Sequence, residues 1–390
     1  MNFSDKEHFP GRRKTRVVKV GRLTVGGDSA IAVQSMTKTD TREVAKTVEQ
    51  IEQMEAAGCE IVRLAVPDAE AAGALPEIRK RCPGAVLVAD IHFQYKFALM
   101  ALDAGFDKLR INPGNIGDAD KVRTVVRRAQ QQHVPIRIGV NAGSLERRLL
   151  EKYGFPTPEA MVESALYHIR ILEDLGFSDT IISLKASNVK LMVAAYRLLS
   201  RQVDYPLHLG VTEAGTQFSG TVKSCVGMGI LLAEGIGDTI RVSLATDPVE
   251  EVRVGYELLK SLELRSRGPV VIACPTCGRL EVDLFKIAEE IEQATSHIKT
   301  PISLAVMGCA VNGPGEAREA DLGVAAGRAN GMIYRQGKAI RRVSESEIVP
   351  ALLEEINRFI ADKEAGIESS APTLEEPAAP QANNPLAVLR

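Results

Sequence analysis

Residues 58–93 read GCEIVRLAVPDAEAAGALPEIRKRCPGAVLVADIHF, and the pattern in this stretch organises most of the chain. EIVRLAVP (60–67) is a short run of apolar, largely branched residues, an amphipathic helix-like segment follows, and AVLVADIHF (85–93) is a second such run. A strand, a helix and a strand in this order make a βαβ unit, whose two strands lie parallel. Working outward, the unit recurs. AIAVQSMT (30–37) precedes it, and DKLRINPGN (107–115), PIRIGVNAG (135–143), TIISLKAS (180–187), LHLGVTEAG (207–215) and TIRVSLAT (239–246) follow, each leading into helix-like sequence. Gly58, Gly105, Gly176 and Gly235 stand where four of these helices should end, each supplying the left-handed residue that turns the chain into the next strand. An open doubly wound sheet is the competing fold, but no G-x-G-x-x-G follows the first run, and eight regular units favour closure. The expectation is an α/β protein with a (β/α)8 TIM barrel over residues 29–267. Residues 1–28, through RVVKVGRLTVGG (16–27), read as a hairpin that plugs or caps one end.

Past Arg267 the rhythm changes. A strand runs into ACPTCGR, a helix is expected over about 280–297, SLAVMGCAVNGPGEA opens another strand, and GMIYRQGKAIRRV is a hairpin turning at Gln336-Gly337. Ser344 with Glu347 forms the signature of a capping box before a last helix. Residues 268–362 therefore read as a small α+β domain, and 363–390, rich in alanine, proline and acid, as a disordered tail.

The bulk numbers suit this division. With 390 residues and 45% hydrophobic composition, the chain can bury a barrel core and a smaller one. Lys plus Arg (48) nearly cancels Asp plus Glu (50), so no overall basic field draws in nucleic acid or anionic lipid. The N-terminal MNFSDKEHFPGRRKTR holds no apolar signal region and no later segment is apolar enough to span a bilayer, so a cytoplasmic protein is expected. Six cysteines in such a chain point to metal or redox use rather than a disulfide framework. Cys59, Cys82 and Cys225 sit singly among apolar and small residues and read as inert buried thiols.

Cys274-Pro275-Thr276-Cys277 puts two thiols within one turn at a strand-to-helix junction, and Cys309 arrives on a later strand in Met307-Gly308-Cys309. Three thiolates are an incomplete set. Zinc normally adds histidine or a fourth cysteine, and the histidine nearest in sequence is His297, on the expected helix; a redox dithiol needs no third cysteine. An iron–sulfur cluster prefers soft thiolates and can leave one iron to another ligand. Glu316, seven residues beyond Cys309, is the available oxygen donor, or else a solvated loop carboxylate.

Polar residues at the carboxyl ends of barrel strands read as binding or catalytic, with branched apolar layers below. Arg63, Arg110, Arg137, Lys185, His208 and Arg241 fall at or near the ends of the second, fourth, fifth, sixth, seventh and eighth strands. Strand parity makes Arg110 co-facial with Asn112, Arg137 with Asn141, Lys185 with Ser187 and Arg241 with Ser243. Converging cations repel unless an anion lies between them, so a ligand with more than one phosphate is expected. Lys185 also stands where Schiff-base aldolases keep a nucleophile. Asp90, His92 and Glu213 are the general acid–base candidates, with Glu213 preferred as proton donor beside a hydrogen-bonding structural role.

Together ACPTCGR, VMGCAVNGPGEA, KLRINPGN, IRIGVNAGS and LHLGVTEAG make residues from about 8 to 360 resemble the bacterial 4-hydroxy-3-methylbut-2-enyl diphosphate synthases. The resemblance implies an oxidoreductase of isoprenoid biosynthesis that reductively opens and dehydrates 2-C-methyl-D-erythritol 2,4-cyclodiphosphate with electrons from flavodoxin or ferredoxin. It implies a [4Fe–4S] cluster on Cys274, Cys277 and Cys309 with Glu316 as fourth ligand, and a homodimer in which one subunit's cluster domain closes over the other's barrel.

Overall fold

The computed structural model describes residues 11–275, 277, 280, 282–309 and 313–367, and the chain divides into two compact units between Arg265 and Ser266. The first opens with a hairpin of β1 (Val18–Val20) and β2 (Leu23–Val25). Eight barrel strands follow: β3 (Ala32–Met36), β4 (Ile61–Ala65), β5 (Leu87–Asp90), β6 (Lys108–Arg110), β7 (Ile136–Asn141), β8 (Thr180–Lys185), β9 (His208–Leu209) and β10 (Thr239–Ile240). They pair in parallel in the order β8-β7-β6-β5-β4-β3-β10-β9. A parallel bridge between Ile182 and Leu207 joins the two end strands, so the sheet closes into the expected barrel.

The helices run α1 (Val44–Ala57), α2 (Ala69–Arg81), α3 (Tyr95–Asp103), α4 (Ala119–Gln131), α5 (Arg147–Tyr153), α6 (Pro158–Glu173), α7 (Val189–Ser200), α8 (Gln217–Ala233) and α9 (Pro248–Ser261). Short side chains satisfy the free N–H groups at several of their starts: Asp68 accepts from Ala71 N, Asp118 from Lys121 N, Thr157 from Ala160 N and Asn188 from Leu191 N. The four punctuating glycines all have positive φ, with Gly58 at 104° as the left-handed cap of α1. Val18, Val20 and Val25 of the hairpin pack on Ala32, Ile61, Val88 and Ile181, residues in the first half of their strands, so the hairpin seals the amino-terminal mouth of the barrel.

The second unit holds a mixed sheet of β11 (Pro269–Ala273), β12 (Ile302–Met307), β13 (Leu322–Gly327), β14 (Asn330–Arg335) and β15 (Lys338–Ser344), in sequence order. The first three are parallel and the last two antiparallel. Its helices are α10 (Leu284–Thr295), α11 (Gly313–Glu319) and α12 (Ile348–Glu364). Helices α10 and α12 bury Ile287, Ile291, Leu352 and Ile356 against one face, and Ala317 of α11 packs with Ala305, Met307 and Ala325 on the other. Helix α10 is shorter than its sequence pattern suggests because Asp283 accepts from Lys286 N and caps it there. The Gln336-Gly337 turn has positive φ at both residues, and the capping box of Ser344 and Glu347 leads into α12. That helix runs to Glu364, two residues into the stretch read as tail, and residues 368–390 lie outside the described residues. No helix among the described residues is long and apolar enough to cross a membrane.

Candidate functional site

The barrel interior is built by alternation. On each strand every second residue points inward, and at the sealed end these are the apolar residues that meet the hairpin. Above them the apolar filling expected of such a barrel gives way to polar groups. Lys108 and Gln34 are almost fully buried, with Lys108 Nζ 3.4 Å from Gln34 Oε1. Arg137 donates to Ser183 Oγ at 2.5 Å, and His208 Nδ1 lies 2.7 Å from Thr239 Oγ1. Nearer the open mouth, Arg63, Arg110, Arg137, Asn141, Lys185, Thr212, Arg241 and Ser243 line a cavity of about 90 Å³.

A carboxylate sits between Arg63 and Arg110. Asp90, 4% exposed, lies 2.5 Å from Arg63, 3.3 Å from Arg110 and 3.4 Å from His92. Burial alone would raise its carboxyl, but Arg63, His92 and Arg110 outweigh that and hold it well below the usual carboxylate range. The remaining cations are crowded. Burial, then Arg137, Arg241, Arg63 and Arg110, pull the Lys185 amine well below its ordinary value; burial, then Arg137 and Arg63, do the same to Lys108. Burial followed by Lys185, Arg137 and Lys108 likewise favours a neutral His208 ring. Among the described residues, Lys185 Nζ, Arg137 Nε and Nη2 and His208 Nε2 are buried without a hydrogen-bond partner. Each such group costs desolvation that an anionic ligand offering oxygen acceptors would offset.

Glycine makes the room. A Cβ on Gly139 of β7 would stand 2.5 Å from Arg110 Nε, and one on Gly210, just past β9, would meet Lys185 Nζ at 2.8 Å, so both cations lie across backbone that carries no side chain there. Asn112 straddles the same glycine, accepting from Gly139 N at 2.8 Å and donating to Gly139 O at 3.1 Å, while Arg110 Nη2 donates to that carbonyl at 2.9 Å.

The structure thus brings Arg63, Arg110, Arg137, Asn141, Lys185, Arg241 and Ser243 to one cavity. Arg137 and His208 are the second and first residues of their strands and lie deeper than strand ends. Ser187 is exposed on the loop after β8 and does not line the cavity. Glu213 is exposed, with a left-handed φ of 52° that costs a non-glycine residue about 1 kcal/mol or more. Sequence reasoning missed Thr212, Lys108, Gln34 and Ser183. Strand parity on DKLRINPGN, which already pairs Arg110 with Asn112, carries the signal for Lys108.

In the second unit Cys274 follows the last residue of β11 and Cys309 comes two residues after β12, the neighbouring parallel strand. Cys274 N donates to Val306 O at 3.1 Å, so pairing extends to the cysteine itself. Cys274 is half-buried, Cys277 exposed and Cys309 buried. Glu316 is exposed in the first turn of α11 rather than on a loop, since Pro314 and an acidic residue both favour a helix start. Ala310, Val311 and Asn312, between Cys309 and that helix, lie outside the described residues. His297 is exposed beyond the end of α10. Among the described residues no three His, Cys, Asp or Glu side chains converge as a single-ion site. The donor chemistry still fits a cluster: soft thiols stand at adjacent strand ends, and a multi-iron cluster spreads its ligands more widely than one ion does. The other cysteines are different in kind, with burial pushing the Cys59 thiol up to about 12 and raising Cys82 and Cys225.

Comparison with known proteins covers both units. The GcpE TIM-barrel domain model matches residues 15–256, and that of the GcpE protein C-terminal domain matches residues 270–358. A 4-hydroxy-3-methylbut-2-en-1-yl diphosphate synthase (flavodoxin) of Geobacillus thermodenitrificans is 58% identical over 367 residues, covering 92% of this chain and 98% of that one. Its namesake from Bacillus subtilis is 55% identical over 376 residues, 96% and 99% of the two chains, and that of Geobacter sulfurreducens 58% over 352 residues, 90% and 99%.

Proposed function

The chain belongs to the GcpE family, and from that premise we propose that it produces 4-hydroxy-3-methylbut-2-en-1-yl diphosphate with flavodoxin as electron donor, the activity its relatives are named for. The substrate in this proposal is 2-C-methyl-D-erythritol 2,4-cyclodiphosphate, opened reductively with loss of water. The observation that carries it is the cavity lined by four arginines and a lysine, beside which the described residues set two buried carboxylates, Asp90 against Arg63 and Arg110 and Glu251 against Arg241. A diphosphate brings the negative charge that this arrangement lacks.

Arg63, Arg110, Arg137, Lys185 and Arg241 would take the phosphate oxygens, with Asn141, Thr212 and Ser243 as uncharged donors at the rim. Asn112 holds the Gly139 backbone on which Arg110 rests, and His208, tied to Thr239, supports the site from beneath. Asp90, held ionised by its cations, acts as their counter-charge. Of the two other acid–base candidates, His92 is engaged with Asp90 and Arg110, and Glu213, in the exposed turn after β9, is taken as the proton donor.

Cys274, Cys277 and Cys309 would hold a [4Fe–4S] cluster, with Glu316 as the fourth ligand. Such a cluster supplies the electrons the ring opening consumes. A homodimer is part of the same proposal. It is supported by α8, which exposes Phe218, Val222, Val226 and Ile230 at four-residue intervals along one face.

The test is anaerobic purification of the wild type and Cys309→Ala, with iron analysis and assay against the cyclic diphosphate and reduced flavodoxin. About four irons per chain, with visible absorbance and turnover both lost in the variant, is the expected result. Colourless, zinc-bearing protein without turnover would refute it.

A further inference from the structure

Resting on the diphosphate reading of the barrel mouth, we propose that Glu251 is a positioning residue for substrate, holding the Arg241 guanidinium and the loop of Ser243 where phosphate oxygens meet them. Glu251 is in the first turn of α9, outside the barrel wall, and is 1% exposed. A carboxylate taken so far out of water must be compensated on the spot. Its Oε2 accepts from Ser35 Oγ on β3 at 2.7 Å, and its Oε1 accepts from Leu244 N at 3.0 Å. Lys38 Nζ stands 3.1 Å from Oε1, and Arg241 Nε stands 3.8 Å from Oε2.

These partners come from β3, from the loop after it and from the segment after β10, the strand that pairs with β3 in parallel. Lys38, just past β3, also donates to Leu244 O at 2.6 Å and to Thr246 O. The loop after β10 is thereby held at Leu244 by both a carboxylate and an amine. Its neighbour Ser243 lines the cavity together with Arg241. Among the described residues, the ion-pair partner of Arg241 is Glu251. Burial lowers the Arg241 guanidinium and Glu251 is the leading charge that opposes this, so the pair favours the charged form that binds phosphate. At 3.8 Å the contact is an ion pair without a hydrogen bond, so among the described residues Glu251 balances the guanidinium charge without taking up its terminal nitrogens, which stay available to phosphate oxygens.

Glu251 touches no substrate in this arrangement and acts through Arg241, which a double-mutant cycle reads directly. Binding of the cyclic diphosphate is measured by calorimetry on cluster-loaded, oxidised enzyme for the wild type, Glu251→Gln, Arg241→Gln and the double variant. Glu251→Gln keeps the shape and an oxygen acceptor but removes the charge. The expected result is a Kd about tenfold weaker, from loss of the buried countercharge beside Arg241. In turnover, kcat should stay within about twofold while KM rises. In the Arg241→Gln background the same change should alter Kd by less than about twofold. A wild-type Kd in Glu251→Gln, or losses that simply multiply in the double variant, would overturn the proposal. Wild-type enzyme that binds no cyclic diphosphate would instead sink the functional reading beneath it. Should Glu251→Gln not fold, Glu251→Asp keeps the charge one methylene farther from Arg241, and the same cycle with Arg241→Gln decides.

Discussion

Replacing Asp90 by asparagine removes the carboxylate around which Arg63, Arg110 and His92 gather while leaving the shape nearly unchanged. Both arginines are shielded from water, with side chains 11% and 5% exposed. Breaking a buried ion pair from one side costs about 3–5 kcal/mol because the surviving charge stays buried. At roughly 2–4 °C per kcal/mol for a domain of this size, Tm should fall by about 6–20 °C. Thermal unfolding followed by circular dichroism in a buffer free of phosphate, sulfate and other multivalent anions measures this. Inorganic pyrophosphate, titrated into both proteins, should then raise the Tm of Asp90→Asn more than that of the wild type, because the anion replaces the missing countercharge. The carboxyl is held low in the folded state, so its contribution is complete above the ordinary value of 3.8 and is lost as pH falls towards the depressed folded value. Near neutral pH the full difference between the proteins should be present. An Asp90→Asn protein as stable as the wild type without anions, and no more responsive to pyrophosphate, would refute the idea that crowded positive charge governs this barrel.

Gly139→Ala puts a methyl group 2.5 Å from Arg110 Nε, and the displaced guanidinium should weaken binding of the cyclic diphosphate by about tenfold, read as Kd. Burial pushes Glu146 up, but hydrogen bonds from His168, the backbone and Ser164 bring its carboxyl down to about 2. It therefore adds stability above its ordinary 4.5 that disappears as pH falls from there to about 2, so the urea midpoint of the wild type should drop across that interval more steeply than that of Glu146→Gln. Glu213→Gly relieves a left-handed residue and should raise stability by about 1 kcal/mol, whereas Glu213→Gln should slow single turnover with a pre-reduced cluster if this carboxyl delivers the proton. Unchanged single turnover in Glu213→Gln would remove it from that role.

The eight units, the glycine-capped helices, the Gln336-Gly337 hairpin and the capping box at Ser344 were all legible in the sequence, because each depends on nearby residues, and the number of units pointed to closure. Position near the strand ends likewise marked Arg63, Arg110, Arg137, Lys185 and Arg241 as mouth residues, and parity put Arg137 on one face with Asn141 and Arg241 with Ser243, since alternation is a local property of an extended chain. Depth was another matter. How far down the barrel an inward residue lies depends on strand stagger and tilt, which emerge only on closure, so Arg137 and His208 lie deeper than strand ends and Ser187 falls outside the cavity. The roles of Lys108 and Glu251 were hidden for the same reason: Gln34 lies 74 positions from Lys108, and Ser35 lies 216 from Glu251. The sequence determined which chemistry this chain carries; the tertiary structure decided which charges face one another, because burial and pairing are set by distances between segments that spacing along the chain does not encode.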